Sequence, residues 1–126
     1  SDHQAAIIAM LDKVEAYYID ELSSEKEVKM AVGIIATLRV VDGKQAEFEA
    51  GFAKMQEVVK VEETGCLLYD LCQDKADVTT YRVMEQYADE DARQSHGTSD
   101  AFKAAAGGLG GCLAGAPELV EVNIIS

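Results

Sequence analysis

The spacing of apolar residues changes several times along this chain, and these changes constrain the fold more than any other feature. Residues 31–41 (AVGIIATLRVV) form a β-branched run that ends at Asp42-Gly43, which is typical of a buried strand before a turn. Apolar residues then recur every three or four positions, as in an amphipathic helix: Phe48, Phe52, Met55 and Val59. Asp42 is placed to cap this helix, with Gln45 closing a capping box.

Two further strands follow this helix. We expect them over 66–73 (CLLYDLCQ) and 77–87, and the short polar turn between them predicts an antiparallel hairpin. Alternation in the later strand places four side chains on one face: Tyr81, Val83, Glu85 and Tyr87. The earlier strand is apolar on both faces, with Leu67, Tyr69 and Leu71 on one and Cys66, Leu68 and Cys72 on the other. A single layer of helices can cover only one of these faces.

The last third of the chain predicts a helix in two pieces and a final strand. Asp89 begins a short piece that carries His96, and Ser99 caps a second piece. The second piece has a helical apolar stripe: Phe102, Ala106, Leu109 and Leu113. The glycines at 107–111 lie within this stripe and lack the preceding strand and following lysine of a nucleotide-binding loop. The last strand is predicted over 119–125.

This order of elements predicts an α+β fold of the ferredoxin-like kind. Residues 31–126 read as βαββαβ, with one antiparallel sheet and its helices packed on one face. A further amphipathic helix is predicted near the N-terminus, because apolar residues recur there with helical spacing: Ile7, Leu11, Val14, Tyr18 and Leu22. We therefore divide the chain into an N-terminal helical extension, 1–30, and a single domain, 31–126.

The uncovered face of the sheet would be a large exposed apolar patch in a monomer. Pairing of two copies through this face is the simplest way to bury it, so we expect a homodimer. The alternative is that the N-terminal helix covers the same face.

Charge and cysteine content exclude several kinds of function. The formal net charge of −12 repels phosphate backbones and anionic lipids, so we expect neither nucleic-acid nor membrane partners. Cys66, Cys72 and Cys112 form no CxxC pair, and only His3 and His96 could join them, so no metal site is expected. Reduced cysteines and the absence of a long apolar segment favour a cytoplasmic protein.

Four short segments occur together in an order and spacing characteristic of one protein family. They are 63–69 (ETGCLLY), 81–87 (YRVMEQY), 91–99 (DARQSHGTS) and 115–117 (GAP). Together they resemble the antibiotic biosynthesis monooxygenase family, which includes quinol monooxygenases. The resemblance implies a dimeric α+β barrel with a mostly apolar pocket between sheet and helices in each subunit. It also implies oxygenation of phenols or quinols by O₂ without metal, flavin or haem, so we expect no cofactor.

The chain departs from the family pattern at several points. Ala101 stands where many members have a second histidine, just before the helix phenylalanine. Thr37 occupies the place of an asparagine found in haem-degrading members, and the chain has no tryptophan. Haem breakdown is therefore disfavoured.

Cofactor-free oxygenation requires a proton acceptor, donors for the developing oxyanion and a dry pocket. His96 is the expected acceptor, because an imidazole titrates near neutral pH. Glu85 would orient this imidazole or bind a hydroxyl of a small aromatic or quinol-like substrate. The predicted substrate-binding residues are Tyr69, Tyr81, Tyr87, Phe102 and Thr37.

Each of these assignments has a structural alternative. A histidine at a helix end is often a capping or surface group, and Glu85 could be a paired structural carboxylate. Aromatic residues at alternating strand positions are usually core. Two other functions also remain open: a non-catalytic binding or regulatory protein, and an isomerase that uses His96 and Glu85 as an acid–base pair without oxygen.

Overall fold

A computed structural model describes residues 4–6, which are helical, and residues 31–126. The predicted N-terminal helix, with its apolar stripe from Ile7 to Leu22, lies outside the described residues. The second range contains the whole predicted domain, and its elements follow the predicted βαββαβ order.

Four antiparallel strands form the sheet of this domain: β1 (Val32–Arg39), β2 (Cys66–Gln73), β3 (Thr80–Tyr87) and β4 (Glu118–Asn123). Their order across the sheet is β2-β3-β1-β4, so the two strands that pair at the centre, β1 and β3, are not consecutive in the chain. This arrangement confirms the predicted ferredoxin-like α+β fold.

The helices of the domain are α1 (Gln45–Glu62), α2 (Glu90–Ser95) and α3 (Asp100–Gly107), followed by a 3₁₀ turn at Gly110–Cys112. The predicted α1 stripe is buried at all four positions, and it packs against residues of β1 and β3. Three residues of the stripe, Phe48, Phe52 and Met55, belong to one core with Ala36, Val40, Tyr81, Val83, Leu109 and Cys112. Burial of this apolar surface is the main force that holds α1 on the sheet.

The predicted caps differ in outcome between α1 and the later helices. The α1 N-cap is Lys44, which makes no side-chain cap bond, so the predicted capping box is wrong. Gln45 instead closes the preceding turn, accepting from Gly43 N at 2.7 Å and donating to Asp42 Oδ1 at 3.0 Å. At α2 and α3 the caps are confirmed, because Asp89 and Ser99 side chains accept from the backbone N–H of the third residue on.

Three boundaries in the structure differ from those predicted. β3 begins at Thr80, because Asp77 holds residues 77–79 in a turn through bonds from Thr79 and Thr80. β4 covers Glu118–Asn123, ending two residues earlier than predicted. The second helical piece ends at Gly107, so the glycines at 107–111 terminate the helix that they were predicted to lie within.

Candidate functional site

His96 lies at the C-cap of α2, where the chain turns toward α3. Three aromatic rings surround its imidazole, with centroid distances of 4.8 Å to Phe102, 5.1 Å to Tyr69 and 5.3 Å to Tyr87. Only 18% of the His96 side chain is exposed. The structure therefore brings together four of the predicted site residues from β2, β3, α3 and the end of α2.

Two carboxylates flank this imidazole on opposite ring nitrogens. His96 Nδ1 lies 2.7 Å from Glu63 Oε1, and Nε2 lies 3.8 Å from Glu85 Oε1. Because the ionised Glu63 carboxylate can only accept, Nδ1 carries the proton of this bond in the neutral imidazole. Nε2 is then the nitrogen that can accept a proton from another molecule.

Glu63 was not predicted as a site residue. It is the C-cap of α1, and its other oxygen accepts from Gly97 N at 3.4 Å, which ties the end of α1 to the segment between α2 and α3. The sequence signal was its place at the start of the family-like segment 63–69. No local periodicity could have indicated its contact with a residue 33 positions away.

Glu85 and Tyr87 form a second short hydrogen bond within the site. The Tyr87 hydroxyl donates to Glu85 Oε1 at 2.6 Å. Burial raises the pKa of Glu85, although the Tyr87 hydrogen bond and the charge of His96 act in the opposite direction. Burial, together with Glu85, also raises the pKa of Tyr87, so its hydroxyl stays protonated as a donor.

Cys66 and Tyr69 line the same region as neutral groups. Burial and the Glu63 charge raise the pKa of the Cys66 thiol to about 11, which leaves little thiolate near neutral pH. Burial likewise raises the pKa of Tyr69. Neither side chain is thus suited to act as a nucleophile, whereas His96 presents Nε2 as an acceptor while its Nδ1 is held by Glu63.

Two cavities meet at Glu85 and Leu119, which line both. The apolar cavity, of about 280 Å³, lies between the sheet and helices α1 and α3. Its walls include Phe48, Phe52 and Tyr69. The His96 cavity, of about 420 Å³, is lined by Ile34, Glu85, Arg93, Gln94, His96 and Leu119. A flat ligand that entered the apolar cavity would therefore reach Glu85 and Leu119, which also line the His96 cavity.

Two predicted binding residues lie apart from this cluster. Tyr81 is buried at the other end of β3, where its ring packs on Phe48 and its hydroxyl donates to Glu49. Thr37 alternates with Ala36 and Leu38, which line the apolar cavity, so its side chain projects from the opposite face of the sheet. The structure therefore does not bring Thr37 and Tyr81 together with His96.

Within the described residues, no group of three or more His, Cys, Asp or Glu side chains is arranged to hold a metal ion. No helix in this part of the chain is long and apolar enough to cross a membrane.

The sequence profile of the antibiotic biosynthesis monooxygenase family matches residues 31–107. The chain belongs to this family. A solved structure from Caulobacter crescentus, whose assignment as an antibiotic biosynthesis monooxygenase is provisional, is 40% identical to it and superposes with a TM-score of 0.74. That match covers 78% of this chain and 92% of the other.

More distant structures share the fold. A conserved protein from Methanosarcina mazei is 26% identical, with a TM-score of 0.68 over 75% of this chain and 92% of its own. A provisionally assigned family member from Nitrosomonas europaea is 16% identical, with a TM-score of 0.71 over 77% of this chain and 92% of its own. No curated protein matches the sequence.

Proposed function

We propose that this protein is a cofactor-independent monooxygenase for a small aromatic or quinol-like substrate. The observation that carries the proposal is the position of His96 between two buried carboxylates, within a ring of aromatic side chains and next to an apolar cavity. Family membership supports oxygenase chemistry in general terms.

In the first step a substrate hydroxyl gives its proton to Nε2 of His96. Glu63 keeps the imidazole oriented and stabilises the imidazolium that forms, since its carboxylate holds Nδ1 at 2.7 Å. Glu85 is buried, with 8% of its side chain exposed, and binds a hydroxyl of the substrate. Tyr69 and Phe102, which contact the imidazole at tilted and edge-on angles, hold the substrate ring.

The resulting anion is electron-rich enough to transfer one electron to O₂. The superoxide and substrate radical then combine at a ring carbon, which forms a C–O bond and a peroxide. Loss of the ring proton and cleavage of the O–O bond release water, so one oxygen atom stays on the product. The substrate supplies all four electrons, and no external reductant is needed. The apolar cavity excludes water from this reactive intermediate.

We also propose that the protein is a homodimer, in which the face of the sheet that the helices leave uncovered packs against a second copy. This face carries Ile35, Leu68, Met84, Val120 and Val122, and Met84 and Val120 are 45% and 57% exposed. An apolar patch of this kind favours self-association. We further propose that the protein is cytoplasmic, which its three free cysteines support. Residues 1–30 are proposed to be an extension of the domain 31–126.

The test is oxygen consumption by metal-stripped protein over a panel of hydroquinones and polycyclic phenols. We expect uptake with one water formed per oxygenated product, and a loss of about 10²- to 10⁴-fold in His96→Ala. Lys103→Ala, on the exposed surface of α3, is the control and should retain full activity. Binding of these compounds without any uptake would instead favour the binding protein, and oxygen-independent turnover would favour the isomerase.

A further inference from the structure

Gly51 lies in the interior of α1, next to the buried Phe52. Glycine destabilises a helix interior relative to alanine, because it loses more backbone freedom on folding and has no side chain to pack. At this position a side chain would meet Leu109, which follows α3. A Cβ built on Gly51 would overlap Leu109 Cδ2 and lie 3.5 Å from Leu109 Cγ. The glycine therefore allows Leu109 to pack directly against the backbone of α1.

Leu109 is also part of the wall of the apolar cavity. Its backbone is fixed by two hydrogen bonds, because its N–H donates to Ala106 O at 3.0 Å and its carbonyl accepts from Cys112 N at 2.9 Å. Cys112 is itself buried in the core. A methyl group at position 51 would thus displace the end of the Leu109 side chain. The cavity that Leu109 lines is the adjacent space into which this side chain can move.

We propose that the contact between Gly51 and Leu109 sets the size of the aromatic ring system that the apolar cavity accepts. This role rests on the proposed function, because it takes the cavity of about 280 Å³ as the place where the substrate ring binds. Protein interiors are closely packed, so a wall that moves inward excludes a ligand that fills the cavity, while a smaller ligand is not affected. Gly51 therefore determines specificity through Leu109, although it does not itself line the cavity.

Two other glycines of this region lack such a contact. Apart from adjoining residues, no atom lies within 4 Å of a Cβ built on Gly107, at the end of α3, or on Gly110, which also lines the cavity. The restriction at position 51 thus comes from Leu109 and not from a general need for glycine beside the cavity. Gly107→Ala is accordingly the matched control, since it adds the same methyl group to a helix without meeting the cavity wall.

Ligand binding under argon tests this role apart from oxygenation. The probes are phenol, 1-naphthol and 9-phenanthrol, which carry one hydroxyl on one, two and three fused rings. Titration calorimetry on the full chain should show that Gly51→Ala binds phenol like the wild type but binds 9-phenanthrol more weakly, by about 10-fold or more. Leu109→Ala should change the preference in the opposite direction, toward 9-phenanthrol, and Gly107→Ala should leave it unchanged.

The double variant Gly51→Ala/Leu109→Ala shows whether the two residues act together. It removes the atom that the added methyl group would overlap, so the effect of Gly51→Ala on 9-phenanthrol should disappear in this background. An effect that persisted there, or equal weakening of all three probes in Gly51→Ala, would overturn the proposal. So would a Leu109→Ala protein with the wild-type preference, a result that is decisive even if Gly51→Ala does not fold. If the size preference changes as expected but no oxygen is consumed, the oxygenase reaction is wrong and the role of Gly51 stands.

Discussion

Tyr81 and Tyr87 lie on the same face of β3, and both side chains are almost completely buried. At the first position the ring packs on Phe48, and the hydroxyl donates to Glu49 Oε2 at 2.9 Å and accepts from Gln73 Nε2 at 3.2 Å. At the second the ring packs on His96, and the hydroxyl donates to Glu85 at 2.6 Å. The same residue type on one strand thus serves two different environments.

The difference lies in the exposure of the partner groups. Glu49 is exposed to water, so the polar contact at the Tyr81 end is solvated and easily replaced. At the other end, Glu63 and Glu85 side chains are only 12% and 8% exposed, and they share one imidazole. Electrostatic interactions are stronger where water is excluded, and unpaired groups are more costly there. The Tyr87 end can therefore support proton transfer, while the Tyr81 end holds α1 to the sheet.

Of the changes that would separate the two ends of β3, Glu63→Gln should have the largest effect, and the effect is on kcat. A glutamine can present either its oxygen or its amide group to His96 Nδ1, so the tautomer that leaves Nε2 free is no longer fixed. We expect kcat to fall on the order of 10²-fold and its pH profile to shift, with little change in ligand binding. Oxygen-electrode assays across pH measure both effects.

Glu62→Gln is the matched control for this variant. It changes the neighbouring residue at the end of α1 by the same chemistry, but Glu62 makes no contact with His96 among those described. Its kcat should remain near that of the wild type. If the two variants behaved alike, Glu63 would have no specific role in positioning the imidazole.

The sequence was sufficient for the parts of the molecule that depend on local patterns. Helical and strand periodicity predicted the βαββαβ order, because each element shows its buried face within a few residues. Alternation along β3 placed Glu85 and Tyr87 on the same face of the strand, and the caps at Asp89 and Ser99 fixed the segment that carries His96.

The contacts that complete the site depend on tertiary structure and were not predictable in this way. Glu63 contacts His96, and Arg93 is bonded to Glu121. In each pair the two residues are far apart in the sequence, so no spacing rule links them. A register shift between Cys66 and Leu68 also pairs Cys66 with Tyr87, which moves its thiol to the helix-covered side of the sheet, opposite to the side predicted. Tyr81 and Thr37 were grouped with the site because a strand pattern does not show what packs against each end or face.

Removing one hydroxyl from each tyrosine compares the two ends directly. Tyr87→Phe leaves the buried Glu85 carboxyl without its donor, so we expect it to lower the free energy of unfolding by about 1–3 kcal/mol. Tyr81→Phe removes a bond whose partner Glu49 is solvated, so its cost should be about 0.5–1 kcal/mol. Urea unfolding followed by circular dichroism measures both values. Equal losses would contradict the distinction drawn between the two ends.

The smallest expected effect is a difference in pH dependence between Glu85 and Asp74, which lies in the turn after β2 near the Tyr81 end. Burial raises the pKa of Glu85, so folding favours its neutral form, and this contribution to stability is lost as pH rises from the ordinary glutamate range through the raised pKa. A hydrogen bond from Arg82, with two more from backbone N–H groups, lowers the pKa of Asp74. Its contribution is present above the ordinary aspartate range and is lost as pH falls through the lowered pKa.

The two corresponding variants should therefore differ from the wild type in opposite ways. Glu85→Gln should gain stability relative to the wild type as pH rises from about 4 to about 7, because the glutamine avoids the cost of a buried charge. Asp74→Asn should be less stable than the wild type at neutral pH, and this difference should diminish as the solution is made acidic. Urea midpoints measured across this range show both trends. Parallel curves for the two variants would mean that the environments of the two carboxyl groups do not differ in the way the structure indicates.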